Sequence, residues 1–491
     1  MANRPHSSLF AKSLLAPILL GAAGCVAPLG PGYTIEKQEI RIHFNPSPEP
    51  RIIIEADYQL RNTGNQPLSS LELRLPGRRR FHFTQPHASW DGAVLIEEIA
   101  EANPRNTLLH FPQPWLVSSS HTLHLSVEFQ PAAPGDSGLS FASDAFFLPS
   151  EGWSPELLPA RGFLSTGGVP PKKWELQIRM PAGFVVHTSG GKLKTSRSAG
   201  ELTVHALQSH EDRYPFVIAG RYTEAQVISG NEKVFLWSRA RQDGSALRQS
   251  SDALARVIQS YDAVFGNRGT DAHPLWIVEC PVIPGCFRQL RSVNARLLGE
   301  ENETTSAELV SLDSLMVDLT GGAPTLVAGA GPSLASTWLG YGQNPGFFEQ
   351  VPPLSEFPAF AAARGREAVD GPSARVAAIR RALQLIPRDP VASKKETEDI
   401  IRAKSFLFFY ALQDRYGKEA FRAAVRHMLE ARRGKGFDLD DLIAAFGEET
   451  HQNVAEFVRL WMKHPGVPND FRARYDDASS TATTSLEETR P

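Results

Sequence analysis

Apolar residues change their period once along this chain, and that change divides it. Between residues 33 and 225 they recur in twos: Ile40, Ile42 and Phe44 alternate with Arg41 and His43. Ile54, Ala56, Tyr58 and Leu60 alternate with Glu55, Asp57 and Gln59 and stop at Asn62-Thr63-Gly64. Leu71, Leu73 and Leu75 repeat the pattern, as do Leu123, Leu125, Val127 and Phe129. Such runs, bounded by Asn, Gly and Pro clusters, predict half-buried antiparallel strands. Residues 174–180, 184–186 and 216–218 extend them, and no helical spacing precedes residue 245.

After that point the period becomes that of a helix. Leu247, Leu254, Val257, Ile258, Tyr261 and Val264 share one face over 246–265. Residues 275–278 read as a short strand and 309–315 as a further helix. From about 374 the helical spacing is continuous, over 397–415, 419–432, 439–446 and 454–463. Asp438 is placed as an N-cap, with Gly417, Gly434 and Gly447 at helix ends. The expected fold class is therefore α+β, an N-terminal antiparallel β domain over 36–225 followed by a mainly helical domain over 226–475. Residues 476–491 are rich in Ser, Thr and Glu and poor in apolar side chains, so no packed structure is expected there.

Composition removes several function classes. Of 491 residues, 51 are Lys or Arg and 54 Asp or Glu, with 42% hydrophobic, which excludes a disordered chain and a polybasic nucleic-acid binder. No apolar run reaches the roughly 18 residues that span a bilayer, so a multispanning protein is excluded too. The N-terminus has another character. Arg4 and Lys12 precede the apolar residues 13–20, and Gly21-Ala22-Ala23-Gly24-Cys25 follows. A basic segment, a short apolar segment and small residues form a secretory signal. Ending in Cys25, it resembles the lipobox of bacterial lipoproteins, with Ala22 where Leu is usual. That resemblance implies cleavage after residue 24, a lipidated Cys25 in a membrane and a tether over 25–35. The mature charge would be -5, too small to name a partner. Val26 rather than Asp after the Cys favours the outer membrane where a cell has two. Cys280 and Cys286 are the remaining cysteines; in an oxidising envelope they are expected to pair, and with no second pair they cannot complete a metal site.

Several segments carry a second resemblance. Phe216-Val-Ile-Ala-Gly-Arg-Tyr222 closes the β part, Val234-Phe-Leu-Trp237 follows, and the first long helix ends Ser260-Tyr-Asp-Ala-Val-Phe-Gly266. Further on come Lys404-Ser-Phe406, Asp414-Arg-Tyr-Gly417, Phe457-Val-Arg-Leu-Trp461 and Pro465-Gly-Val-Pro468. Together, over roughly 35–475, these resemble zinc aminopeptidases of the aminopeptidase N type, the gluzincins. The resemblance implies a β domain shaped as a saddle and a thermolysin-like helical domain, without the C-terminal helical repeats that many members carry.

Members of that family hold zinc with HExxH on one helix and a Glu farther on. His at i and i+4 share a helix face, the intervening Glu reaches the bound water, and a third ligand leaves one position open. Aligning Trp338 and Gly340 with the family's Trp and Gly puts Pro332 at the first His, Ser333 at the catalytic Glu and Ser336 at the second His. Glu356, in Leu354-Ser-Glu356-Phe-Pro358, matches the third-ligand segment. The family's Gly-Ala-Met-Glu-Asn stretch has no counterpart between Cys286 and Leu309, and Arg402 stands where the transition-state Tyr should be. One carboxylate cannot hold zinc against water. The expectation is thus no catalytic residue, no metal site beyond a vestigial Glu356, and no cofactor.

Other sites are weaker. His121 and His124 lie on a strand at a spacing that sends them to opposite faces. His205, His210, Glu211 and Asp212 form a polar loop, and His427 lacks a partner four residues away. Arg78-Arg79-Arg80 reads as a solvated turn. Residues 325–335 resemble a G-x-S-x-G nucleophile elbow around Ser333, with Asp399 and His427 downstream, though Pro332 is natural in the first turn of a helix. The function expected is a membrane-anchored envelope lipoprotein, catalytically silent, that binds peptide or protein or serves as a scaffold, and not nucleic acid. The alternatives are an active zinc metallo-aminopeptidase with displaced ligands and, third, a Ser hydrolase using Ser333.

Overall fold

The computed structural model describes residues 31–476 apart from 48, 75–81, 84–85, 101–105, 131–139, 150–152, 161–167, 189–192, 199, 209–215, 231, 240–243, 269–273, 282–306, 312, 340–353, 389–396 and 433–434. Residues 1–24, Cys25, the run Arg78–Arg80, His210, Glu211, Asp212, Cys286, Gly340, Gly434 and residues 477–491 lie outside the described residues. The architecture is α+β, with sheets first and helices after.

The largest sheet has nine strands. Along it run Lys194–Ser198, Glu201–Gln208, Trp174–Pro181, Tyr33–Asn45, Arg51–Asn62, Ser120–Gln130, His87–Trp90 and Ala93–Val94, with His82–Phe83 also on Ser120–Gln130. The alternation in the sequence becomes two faces. Ile40, Ile42, Ile54, Ala56, Tyr58, Leu60, Leu123 and Leu125 are buried between the layers. On the outer face Arg41 bonds Glu55 at 3.1 Å and Asp57 at 2.6 Å across the neighbouring strand. One pairing departs from expectation: Tyr33–Asn45 and Trp174–Pro181 run parallel, although every other contact in this sheet is antiparallel. The long connection between these two strands permits it, since parallel neighbours need a crossover and not a hairpin. Two four-stranded sheets, one of them Leu68–Arg74 with Asn106–Trp115 and its neighbours, complete this layer.

A five-stranded sheet opens the second half, in the order Tyr222–Ser229, Glu232–Arg239, Leu275–Glu279, Ser314–Val317, Ala307–Ser311. Helix α1 (Gly244–Phe265) provides the crossover that lets Glu232–Arg239 lie parallel to Leu275–Glu279. Its predicted apolar face is buried from Leu247 to Val264. The helix expected over 309–315 is instead two strands, with Leu309 opposite Leu315. A short apolar run has no period long enough to separate helix from strand, and sheet pairing decided it.

Eight further helices follow among the described residues: α2 (Gly322–Leu339), α3 (Phe357–Asp370), α4 (Pro372–Gln384), α5 (Glu398–Tyr416), α6 (Lys418–Ala431), α7 (Leu439–Thr450), α8 (Val454–Lys463) and α9 (Asn469–Asp476). Asp438 caps α7 by accepting from the Asp441 N–H at 3.0 Å, as its position predicted. Gly447 does not end that helix; the chain leaves it at His451, in the left-handed region with φ 53°. Helix α5 is apolar on nearly all sides, with Phe406, Leu407, Phe408, Phe409, Tyr410 and Leu412 buried, so it forms the axis of the helical core. None of the described helices is long and apolar enough to cross a membrane.

Candidate functional site

Helix α2 carries three of the four degenerate motif positions. It begins at Gly322, so Pro332 stands in its interior and not in its first turn. A proline there removes the N–H that would bond the Ala328 carbonyl. Helix α2 nevertheless persists, held by packing on α3. A Cβ added at Gly331 would lie 2.9 Å from the Ala362 Cβ, so the two backbones approach as closely as glycine allows. The Tyr261 hydroxyl, from α1, donates to the Gly331 carbonyl at 3.1 Å.

Two hydroxyls on α2 are taken up by the helix or its packing. Ser336 is buried and donates to the Pro332 carbonyl one turn back, at 2.9 Å. Its hydroxyl hydrogen is spent inside the helix. Ser333 is half-buried within a continuous helix, so the strand-to-helix turn of a nucleophile elbow is not formed around it. Trp338 is held by its indole N–H on Asp262 at 3.1 Å, with the Arg268 guanidinium 5.5 Å above the ring. Arg268 in turn forms an ion pair with Glu232 at 2.8 Å, both about 5% exposed. Asp262, Arg268 and Glu232 were not singled out from the sequence. Only the pairing of a Trp with an acidic residue of another helix reveals them.

Glu356 ends a single 3-10 turn, Leu354–Glu356, directly before α3. It is 1% exposed. Its Oε1 lies 3.5 Å from the Arg402 Nε, while Oε2 has no hydrogen-bond partner among the described residues. Burial pushes the Glu356 carboxyl up to about 7; the Arg402 charge opposes this and Glu398 adds to it. Arg402, on the first turns of α5, is also 3.5 Å from Glu398 one turn before it. Two residues aligned separately in the sequence, Glu356 and Arg402, therefore meet as a carboxylate and a guanidinium.

These residues do not fit a zinc ion. Pro332 offers no donor and Ser336 is engaged in its helix. The single carboxylate already faces a permanent cation. Zinc sites draw three or four donors from Cys, His and carboxylates. Among the described residues no group of three or more such side chains could hold a metal.

The remaining candidates are dispersed. His121 bonds Asp91 at 2.6 Å and His124 bonds Asp57 at 2.7 Å, each with its own carboxylate on the sheet surface. His427 is exposed and lies 3.5 Å from Glu448 on α7. Asp399 sits in the first turn of α5, away from Ser333 in the chain and on another helix. Cys280 is buried and disulfide-bonded; Cys286 lies outside the described residues.

No protein-family profile matches the sequence, and no curated protein does. Among solved structures the chain is similar to the M1 zinc metallopeptidase from Deinococcus radiodurans, with 17% identity over 89% of this chain and 95% of that one and a TM-score of 0.48. A mutant of that enzyme bound to a Tyr-Ser-Ala substrate gives the same figures of 17%, 89%, 95% and 0.48. The Legionella pneumophila aminopeptidase A in complex with aspartic acid is 13% identical over 89% of this chain and 50% of that one, with a TM-score of 0.49.

Proposed function

We propose that the chain is a bacterial envelope lipoprotein, anchored through lipid on Cys25, whose aminopeptidase-like body carries out no metal-dependent hydrolysis and instead binds a peptide or an envelope protein. The observation that carries the silent site is the pairing of Arg402 with Glu356 at 3.5 Å. An arginine does not lose its charge in a protein, so it supplies permanently the positive partner that a metal ion would otherwise bring to this carboxylate. A metal would have to displace the guanidinium and then bind with one ligand from among the described residues. The binding role is supported by the packed frame around the site, where Tyr261, Trp338, Phe357 and Phe360 remain buried. Outer-membrane sorting, from Val26, belongs to the same proposal.

One feature favours the rival, an active metallo-aminopeptidase with displaced ligands. The Glu356 Oε2 is buried without a hydrogen-bond partner among the described residues, as a ligand awaiting its ion would be. Metal content separates the two. After dialysis of the purified mature protein against dilute zinc, elemental mass spectrometry is expected to find far less than one zinc per chain. Hydrolysis of aminoacyl anilides should be undetectable with or without chelator. Stoichiometric zinc, lost on Glu356→Ala, would establish the rival. If cross-linking in cells captured neither peptide nor envelope protein, the binding role would fall.

A further inference from the structure

We propose that the end of the β domain from which the N-terminal segment leaves is a second membrane contact, with Leu116 and Val117 set into the surface of the bilayer that holds the lipid on Cys25; this rests on the lipid anchor proposed above. Register places the parts at one end. Tyr33 pairs with Asn62, and the carbonyl of Gly32, just before it, accepts from the N–H groups of Thr63 at 3.2 Å and Gly64 at 2.7 Å. The Asn62 carbonyl accepts from the Ser118 N–H at 3.0 Å, and the Ser119 carbonyl accepts from the Asn62 N–H at 3.1 Å. Gly32 and Tyr33, the turn after Asn62 and the turn 116–119 are therefore immediate neighbours. The hairpin at Asp91 joins them, its N–H donating to the Thr122 carbonyl at 2.9 Å.

This end is apolar in an unusual way for a surface. Leu116 is 62% exposed and Val117 41%, while Val94 and Ile96 on the flanking strands reach 86% and 74%. Pro112 and Pro114 are also exposed, where the register shifts between the Leu68–Trp115 and Ser70–His110 pairs. Residues 111–120 and 62–71 contain no Lys, Arg, Asp or Glu, and neither do residues 25–35. Asp91 is bonded to His121 and to the Thr122 N–H; Arg61, exposed and opposite Thr34 and Ser120, is a charged side chain beside these turns, and Glu36, paired with Lys172 at 2.7 Å, lies just beyond it. Apolar side chains beside hydroxyl and amide groups, with Arg61 able to reach lipid phosphate, suit the boundary between acyl chains and headgroups.

Chain length chooses the occupant. Cys25 and Pro31 are six residues apart, which at full extension is roughly 20 Å. The strand Tyr33–Asn45 has 13 residues and so measures about 40 Å. A lipid on Cys25 thus keeps the Leu116 end within reach of the bilayer in every orientation, whereas the Asn45 end reaches it only when the strand lies along the surface. With the surface held that close, even a small apolar contact is made at high effective concentration.

The test uses the full chain, lipidated in a bacterial host and reconstituted in phosphatidylethanolamine–phosphatidylglycerol vesicles. An environment-sensitive dye is attached at Leu116→Cys, at Val117→Cys as a second version, and at Ser47→Cys, exposed at the opposite end. Emission from positions 116 and 117 should shift to the blue and be quenched by headgroup-labelled lipid, while position 47 stays as in water. Water-like emission from all three, on protein whose Cys25 is acylated by mass, overturns the second contact. An unacylated Cys25 overturns the anchor itself, and with it the orientation argued here.

Discussion

At Glu356 two forces on one carboxyl group disagree, and burial wins. Desolvation holds it up to about 7 although Arg402 lies 3.5 Å away, because that guanidinium is one-third exposed and shared with Glu398. Between the ordinary carboxyl value of 4.5 and about 7 the folded state binds more protons than the unfolded chain. Stability from this group is complete at low pH and is lost as pH rises through that window, by about 3 kcal/mol. Glu356→Gln should remove that slope. Urea midpoints at pH 4.5 and pH 8 should move in the variant's favour at the higher value; parallel profiles would refute the buried-carboxyl account. Both partners were singled out in the sequence, each by its own alignment. Their contact was not, since nothing in a linear alignment says which aligned positions share a surface.

Among elements, the clearest case of a buried charge used as support is Lys404. It stands in the middle of α5, 4% exposed, in a helix whose other faces are phenylalanine and leucine. Its ammonium donates to the carbonyl of Met462 at 3.2 Å and to that of His464 at the end of α8. The last carbonyls of a helix have no partner within it, so a buried cation satisfies them and the helix dipole together. Lys404→Met keeps the stem and leaves those oxygens buried and unpaired, at a cost of about 1–3 kcal/mol. Thermal unfolding of variant and parent measures it, and an unchanged midpoint would show that water replaces the ammonium. A lysine amid an aromatic run is itself a signal of a satisfied buried cation, but the sequence gives no hint that its partner is a helix end near residue 463. Helix α2 teaches the converse. Its proline read as a helix start, and only the close packing on α3 shows a helix that runs through it.

At the scale of the molecule, the β layer and the second half meet through a small apolar cluster of Phe147, Phe216, Ile218, Trp237, Val278, Cys280 and Met316. His187 lies in this seam, its Nε2 2.7 Å from the Ser314 Oγ and its ring stacked 4.3 Å from Trp276. Burial lowers its pKa to about 4, with Asp313 opposing. The unfolded chain therefore binds the extra proton first. Stability from His187 is complete above pH 6.5 and declines as pH falls toward 4, by about 3 kcal/mol. This slope is opposite to that of Glu356 over nearly the same range. The parent protein should show a flattened pH profile, which His187→Gln tilts toward acid stability and Glu356→Gln toward alkaline stability. Urea unfolding from pH 4 to pH 8 on all three proteins checks the pair, and variants that tilt the same way would contradict it.

Local regularity was readable without coordinates. Two-residue and helical periods depend only on which side chains face a core, so the strands from Tyr33 onward, the buried face of α1, the Asp438 cap and the bounds of α8 follow from the sequence. The same reading aligned Pro332, Ser333, Ser336, Glu356 and Arg402 with the positions of a degenerate motif, an assignment that period and cap do not reach. Tertiary structure decided what period and motif cannot carry. It made strands of residues 307–317 because a neighbouring strand was there to pair with them, and set Tyr33–Asn45 parallel to a strand far along the chain. It also brought Arg402 onto Glu356 and the turn 116–119 beside Gly32 and Asn62. Each of these is a contact between distant segments, and its free energy exists only once the chain has closed the loop between them.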